Sequence, residues 1–266
     1  MPVLILKEVV TISDFTLIQG NCLTLMQEIP TSSMDMILCD LPYGTTRCKW
    51  DTVIPFAPLW KEYNRIIKQT GAIVLFAAEP FASHLRLSNL QAYKYDWIWD
   101  KVKGTGFLNA KRQPMRNHEN ILVFYRKQCT YNPQKTAGHA RKTARKGEHL
   151  QTEVYGTMTT AAYDSTERYP RSIQVFSTDT QKSALHPTQK PVKLLEYLIN
   201  TYTNPGEIVL DNCMGSGSTG VACINTGRDF IGIELDPGHF DTAYQRIKAQ
   251  YTAMEAIPCE RSTWAH

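Results

Sequence analysis

The sequence predicts an α/β fold built on one mostly parallel sheet, and three observations carry that expectation. Short, apolar-rich runs recur at residues 36–39, 72–77, 207–211 and 230–234, with the length and composition of strands buried on both faces. Between them, apolar positions return every three or four residues, as on the inner stripe of a helix. The two patterns alternate along the chain, which is how strand–helix–strand units read and why the sheet is expected to be parallel.

In chain order, residues 15–18 read as a strand leading into Gln19, Gly20, Asn21 and Cys22. Leu23, Leu25, Met26 and Ile29 then mark a short helix ended by Pro30. Strand 36–39 runs into Asp40, Leu41, Pro42 and Tyr43, where the proline ends it. Residues 44–51 are polar and read as a loop. Leu59, Trp60, Tyr63, Ile66 and Ile67 make a helical stripe that Gly71 is expected to close. Strand 72–77 follows, then an alternating strand carrying Tyr93, Tyr95, Trp97 and Trp99, then strand 121–125.

From residue 126 to about 183 the periodicity vanishes in a basic stretch rich in Thr, Gln and Tyr. A structureless loop of that length is uncommon inside a compact domain. The expected organisation is therefore one domain over 1–266, with an inserted lobe at 128–184 between halves at 1–127 and 185–266. Order returns at His186, Pro187, Thr188, Gln189, Lys190 and Pro191, the last suited to a first helical position. Val192, Leu195, Leu198, Ile199 and Tyr202 form the stripe of that helix. A turn at Pro205 and Gly206 leads to strand 207–211, a glycine-rich loop, and a helix through Val221, Ala222 and Ile224. Strand 230–234 and a helix from Pro237 through Phe240, Ala243, Tyr244 and Ile247 complete the pattern.

A chain of 266 residues with 42% hydrophobic and 20% charged residues has the composition of an ordinary globular protein with a sizeable core. Seven scattered cysteines without a CxxC pair argue against a disulfide framework or a zinc site and for a reducing, cytoplasmic setting. No apolar run reaches the length of a membrane span, and the N-terminal residues do not form a signal peptide. The net charge of +4 is unevenly distributed: residues 111–146 hold ten Lys and Arg against the single acid Glu119. Concentrated basic charge of this kind fits a polyanion partner, although a solvated basic face gives the same pattern.

Three constellations carry chemistry. Asp40, Leu41, Pro42 and Tyr43 lie at the carboxyl end of a strand, the edge at which open α/β sheets bind ligands. Pro42 holds Leu41 extended, so a carboxylate and a backbone carbonyl stand side by side and can accept both hydrogens of an exocyclic amine. Tyr43 adds a ring on which a flat base can stack. Gly215, Gly217 and Gly220 spell GxGxxG between a strand and a helix, with Glu234 ending the next strand as an acid for ribose hydroxyls. A dinucleotide and S-adenosylmethionine compete for such a loop. Asp211, four residues before the first glycine, would repel a pyrophosphate but suits a ligand with an ammonium and a sulfonium. The third constellation is the run 186–191. A helix start beside Lys190 offers a site for the carboxylate of the cofactor's methionine end, or is simply a lead-in loop.

With these three motifs in this order, the chain resembles the amino-group DNA methyltransferases of the β arrangement, of the phage and restriction–modification type. Asp40 to Tyr43 looks like that family's Asp-Pro-Pro-Tyr, residues 186–191 like its cofactor-tail motif, and residues 211–219 like its Asp-Pro-Phe-x-Gly-Ser-Gly-Thr loop. The resemblance covers about residues 15–127 and 186–250, and residues 44–51 look like those of a phage-associated branch. Leu41, Asn21 and the pair Asn212 and Cys213 depart from the family pattern.

The resemblance implies a permuted, Rossmann-like class I methyltransferase fold with a mostly parallel seven-stranded sheet and an inserted target-recognition lobe. It implies methyl transfer from S-adenosylmethionine to the N6 amine of adenine at a specific site in double-stranded DNA, without a metal. The catalytic residues would be Asp40, Leu41, Pro42 and Tyr43. Cofactor binding would fall to Asn21, Cys22, Asp40, His186, Thr188, Gln189, Lys190, Pro191, Asp211, Met214, Gly215, Ser216, Gly217 and Glu234. DNA would meet Arg112, Arg116, Arg141, Lys142, Arg145 and Lys146, and a homodimer is possible for such an enzyme. Residues 119–121 and the pair Pro258 and Cys259 look like pieces of the cytosine-carbon enzymes but come in the wrong order, and read as chance. The rival expectations are N4-cytosine methylation with the same pocket logic, a nicotinamide-dependent oxidoreductase, and a cofactor-free DNA-binding module.

Overall fold

Alternation within the apolar runs decides the architecture. In a computed structural model that describes residues 9–45, 51–144, 147, 150–152, 156–158, 162–178 and 189–256, Met36 and Leu38 join one buried cluster, and Ile37 and Cys39 the other. Ala72, Val74 and Phe76 divide in the same way from Ile73, Leu75 and Ala77. A strand covered on both faces needs apolar side chains at every position, which is why these runs are continuous rather than alternating.

The chain enters through strands β1 (Val9–Ile12) and β2 (Phe15–Gln19), then helix α1 (Cys22–Leu25), which tightens into a 3₁₀ turn at Met26–Glu28. Strand β3 (Met34–Asp40), helix α2 (Phe56–Ile66), strand β4 (Ile67–Ala77) and helix α3 (Phe81–Ser88) follow. Strands β5 (Tyr93–Thr105) and β6 (Arg116–Phe124) form a long hairpin. Strands β7 (Lys142–Ala144), β8 (Leu150–Thr152), β9 (Gly156–Met158) and β10 (Tyr163–Ser165) come next, then β11 (Ile173–Val175). Helix α4 (Val192–Tyr202), strand β12 (Ile208–Asp211), helix α5 (Ser218–Thr226), strand β13 (Asp229–Glu234) and helix α6 (Pro237–Glu255) complete the described chain.

The main sheet runs β1-β2-β13-β12-β3-β4-β6-β5-β11. Its inner seven strands are the expected sheet, and the short β1 and β11 add one strand at each edge. Pairing is parallel from β2 through to β4, while β6 runs antiparallel to both β4 and β5. From β3 the chain proceeds outward to β4; from β12 it proceeds the other way to β13. The crevice between β3 and β12 is thus a topological switch point, where ligands of open α/β sheets bind. One face is covered by α4, α5 and α6, the other by α1, α2 and α3.

The chain divides into two compact units, residues 1–132 with 172–266, and Pro133–Arg171. Among the described residues, the second unit holds two small antiparallel ribbons, β7 with β10 and β8 with β9, and a bridge between Thr136 and Arg168. Strands of three residues are too short for a period to register in sequence.

One local expectation is corrected. Helix α2 does not run to a glycine cap at Gly71; it stops at Ile66, and Ile67 is already extended. Gly71 lies inside β4, and its role is close packing. A Cβ there would sit 2.8 Å from the Asp35 carbonyl oxygen and 2.7 Å from Ile67 Cδ1. The backbone oxygen cannot step aside as a side-chain tip can. Gly71→Ala is therefore expected to destabilise the fold by about 1–3 kcal/mol, the usual cost of overpacking. A thermal melt unchanged by the substitution would show that β3 and β4 are not held this closely.

Candidate functional site

Parallel pairing of β12 with β3 and β13 brings their carboxyl ends to one edge, delivering Asp40, Asp211 and Glu234 to a single cavity of about 890 Å³. That volume lies at the upper end of the range for ligand pockets. Among the sequence-predicted residues, Asn21, Cys22, Asp40 to Tyr43, Gln189, Lys190, Asp211, Met214, Gly215, Ser216 and Glu234 all line it.

At one end the Asp40 carboxylate is held on both oxygens. Tyr43 donates its hydroxyl to Oδ1 at 2.8 Å, and the Lys190 ammonium donates to Oδ2 at 2.6 Å. Lys190 also stands 3.3 Å from Glu119 on β6, and Glu119 accepts from Lys101 at 2.7 Å. The result is an alternating chain of charge, Asp40, Lys190, Glu119 and Lys101, let into the cavity wall. Burial works against the charge of Lys190, but the two carboxylates outweigh it and raise its pKa, so it stays an ammonium. Burial likewise opposes the Glu119 carboxylate, yet Lys190 and Lys101 hold it below the usual range. Burial raises the Asp40 pKa, with Lys190 pulling it back. Burial and the neighbouring carboxylate raise Tyr43, which keeps its hydroxyl a donor. The Tyr43 ring stacks on Phe81 at 5.0 Å between centroids.

At the other end, backbone amides and carboxylates shape the loop after β12. Asp211 accepts from the Thr219 hydroxyl at 2.6 Å and from the Cys213 amide at 3.1 Å. Glu234 accepts from the Gly215 amide at 2.8 Å and the Asp236 amide at 2.9 Å. Each carboxylate keeps lone pairs for a ligand. Gly217 has φ +76 and its missing Cβ is what lets the loop pass Ala243, only 3.0 Å from where that atom would lie. Arg246 fastens the loop from outside through the Ser216 carbonyl at 3.2 Å and the Ser218 hydroxyl at 2.9 Å. Asn21 uses its side-chain oxygen as the N-cap of α1, accepting from the Leu23 amide at 2.9 Å. Cys22, Cys39 and Cys213 meet on the cavity floor, where burial pushes the Cys39 thiol up to about 12.

Pro191 is the N-cap of α4, one position before the helix begins. Lys190, expected beside a helix start to receive a carboxylate, turns its ammonium instead onto Asp40 and Glu119. His186 and Thr188 lie outside the described residues, as do Arg145 and Lys146. Arg112 and Arg116 are exposed on the β5–β6 hairpin, Arg116 donating to the Glu79 carbonyl at 3.1 Å. In the Pro133–Arg171 unit, Lys142 is exposed and Arg141 is paired with Asp164 on two nitrogens, so part of the basic window is neutralised locally. Sequence reasoning missed Glu119, Lys101 and Trp99 as cavity residues. Glu119 stood out only as the lone acid of a basic window, and nothing in its neighbours marks a functional role.

Residues 34–245 match the family described as DNA methylase, of the N6/N4 type. The Type II methyltransferase M.HpaI of Haemophilus parainfluenzae is 26% identical over 259 residues, covering 92% of this chain and 77% of that protein. The DNA adenine methyltransferase YhdJ of Escherichia coli K12 is 28% identical over 265 residues, covering 90% of this chain and 85% of that protein. Among solved structures, the complex of M1.HpyAVI with SAM superposes with a TM-score of 0.60 at 24% identity, covering 87% of this chain and 99% of that one, a likeness of fold.

The buried acid at the end of β12 has a consequence for stability. Burial raises the Asp211 carboxyl from 3.8 to about 6. The folded chain thus holds this proton more tightly than the unfolded one, and the stabilisation present below about pH 4 is lost as pH rises through 6. Relative to Asp211→Asn, the wild-type protein should lose roughly 2–3 kcal/mol between pH 4 and 7. Parallel melting curves for the two proteins across that interval would contradict the buried, protonatable state.

Proposed function

Because the chain belongs to the DNA methylase family of the N6/N4 type, we propose that it transfers a methyl group from S-adenosylmethionine to the N6 amine of adenine at a specific site in double-stranded DNA. The observation that carries this reading is the single cavity that joins Asp40 to the glycine loop and Glu234. The DNA adenine methyltransferase among the relatives and the SAM complex among the solved structures support the choice of base and cofactor. The Type II methyltransferase relative supports a restriction–modification setting. Cytosine N4 is the second reading, favoured by the family's N6/N4 scope.

The donor set fits the cofactor. Asp211 and Glu234 are acids with spare lone pairs, suited to an ammonium and to ribose hydroxyls, and the loop at Gly215 and Gly217 brings backbone against the ligand. When bound, S-adenosylmethionine supplies a methyl group activated by the positive sulfur.

The remaining chemistry belongs to the protein. An aromatic amine is a weak nucleophile because its lone pair is delocalised into the ring, so it must be oriented rather than merely bound. Asp40 has one lone pair in use on each oxygen and others left to accept an N–H of the amine. The Leu41 carbonyl takes the second N–H. The lone pair is thereby aimed along the transfer path. Lys190 works against burial to favour the Asp40 carboxylate, and Tyr43 fixes its rotation. Attack by the amine would form the nitrogen–carbon bond as the methyl's bond to sulfur breaks, the electron pair staying on sulfur as a neutral thioether. The methylated amine, left cationic, would shed one proton, for which Asp40 is a base in the same cavity. Tyr43 lies beside the base and stacks on it. The target nucleotide has to leave the duplex to reach this depth. We assign the Pro133–Arg171 unit to target recognition, with Lys142 among its DNA contacts.

Asp40→Ala should lower methyl transfer on the order of a hundredfold or more while leaving cofactor binding nearly intact, since most of the cofactor contacts fall to other residues, and Asp40→Asn should retain more activity. Digesting modified DNA to nucleosides and identifying the product by mass spectrometry settles the base; N4-methylcytosine would overturn adenine and spare the mechanism. Glu234→Ala should weaken S-adenosylmethionine by about 1–3 kcal/mol in calorimetry, and tight NAD binding would sink the reading altogether.

The charge chain makes a separate prediction. Without its ammonium neighbour Asp40 is protonated more readily, so Lys190→Met should move the acid limb of the pH–rate profile upward. Lys190→Arg should restore it. An unmoved limb in Lys190→Met would mean that the ion pair serves the fold alone.

A further inference from the structure

The hairpin that closes the cavity on the β5–β6 side carries an apolar tip exposed to solvent. Phe107 is 78% exposed and Leu108 98%, although large apolar side chains are among those most readily buried. They sit in a 3₁₀ turn at Phe107–Asn109 entered through Gly106 at φ +89. Four backbone hydrogen bonds stiffen the turn, Asn109 to Gly106, Ala110 to Phe107, and Arg112 and Gln113 to Asn109, at 2.8 to 3.0 Å. The phenyl ring of Phe107 and the branched side chain of Leu108 are therefore presented on a braced turn.

Three observations say what covers this tip. Its root is the wall of the base pocket, since Lys101 and Thr105 line the cavity and Thr105 pairs with Arg116 across the hairpin. Its flanks are cationic: residues 102–118 contain Lys103, Lys111, Arg112 and Arg116 and no acid. Its strand is bent on purpose. The β5–β6 register shifts between Asp100 and Thr105, and there Val102 adopts φ +67, a left-handed conformation costly for a β-branched residue. A rigid apolar point with basic flanks beside a nucleobase pocket matches the side-chain wedges that enter a DNA base stack.

We propose that Phe107 and Leu108 form a wedge that enters duplex DNA and fills the space left by the extruded target base, with Lys111 and Arg112 on the adjoining phosphates. The proposal rests on the methylase reading above. Taking a base out of a duplex forfeits stacking and pairing, and apolar surface moved from water into the gap offsets that loss. A preformed turn keeps the ordering cost small.

The test uses the full chain and a duplex bearing its methylation site, known from sequencing of modified DNA, with 2-aminopurine at the target adenine, or pyrrolocytosine at a target cytosine. Wild-type protein should raise the probe's fluorescence as the base leaves the stack. Phe107→Ala/Leu108→Ala should cut that rise at least threefold and slow methylation of the matched duplex at least tenfold. With an abasic site opposite the target, where extrusion is already half done, its rate should return to within twofold of wild type. The substituted side chains are exposed, so melting curves should coincide; Leu108→Ala alone repeats the test with the least exposed surface changed. Unaltered fluorescence and rate overturn the proposal, as does a defect that the abasic duplex leaves in place. A variant that turns dimers into monomers in light scattering while still extruding the base overturns it too, since the tip then joins copies of the chain. Wild-type protein that extrudes the base but transfers no methyl counts against the methylase reading and leaves the wedge standing.

Discussion

The parallel pairing of β3 with β12 is the constraint on which the site depends. Val209 opposite Met36 and Leu210 opposite Ile37 set a register in which both strands run out at the same edge. Asp40 then ends one strand and Asp211 the other, and the glycine loop begins where the tetrapeptide does. A shift of one residue would turn every side chain of β3 to the opposite face, and both cores forbid it. The precision of the cavity is thus inherited from hydrophobic packing that lies wholly beneath it.

Upon that frame the protein sets charges that would be costly singly. Asp40, Lys190, Glu119 and Lys101 alternate in sign, and each interior member touches two of opposite charge. Removing one member leaves its neighbours in a poorly solvated wall without compensation, which is where buried ion pairs become expensive. The arrangement also divides labour on the Asp40 carboxylate. A cation sets its ionisation, a phenol sets its orientation, and the remaining lone pairs stay available.

Much of this was legible in the sequence because it is local. The strands at β3, β4, β12 and β13 and the helices α4, α5 and α6 announce themselves by period and by Pro and Gly at their ends. The tetrapeptide and glycine loop could be found because backbone chemistry demands particular residues at fixed spacing. Helix α3 was passed over because it is a short segment with only Phe81, Ala82 and Leu85 buried. Gly71 misled because a glycine required by close packing looks the same in sequence as one required by a helix cap. Glu119 and Lys101 were invisible as site residues for a different reason. Their function comes from Lys190, which is 71 residues beyond Glu119, and only the folded sheet makes them neighbours.

That long reach in sequence shapes how the protein must be made. Strand β3 is synthesised early, but its partner β12 follows only after more than 160 further residues, including the whole Pro133–Arg171 unit. Until then one side of β3 is an open, apolar edge, the kind that recruits other chains. Ribosome-bound and truncated chains therefore carry a sticky border that the finished protein hides at its centre. Slow folding through such non-local pairing follows from the topology itself. The same order of events keeps a partial chain from assembling a working site, since the tetrapeptide emerges long before the loop that completes its cavity.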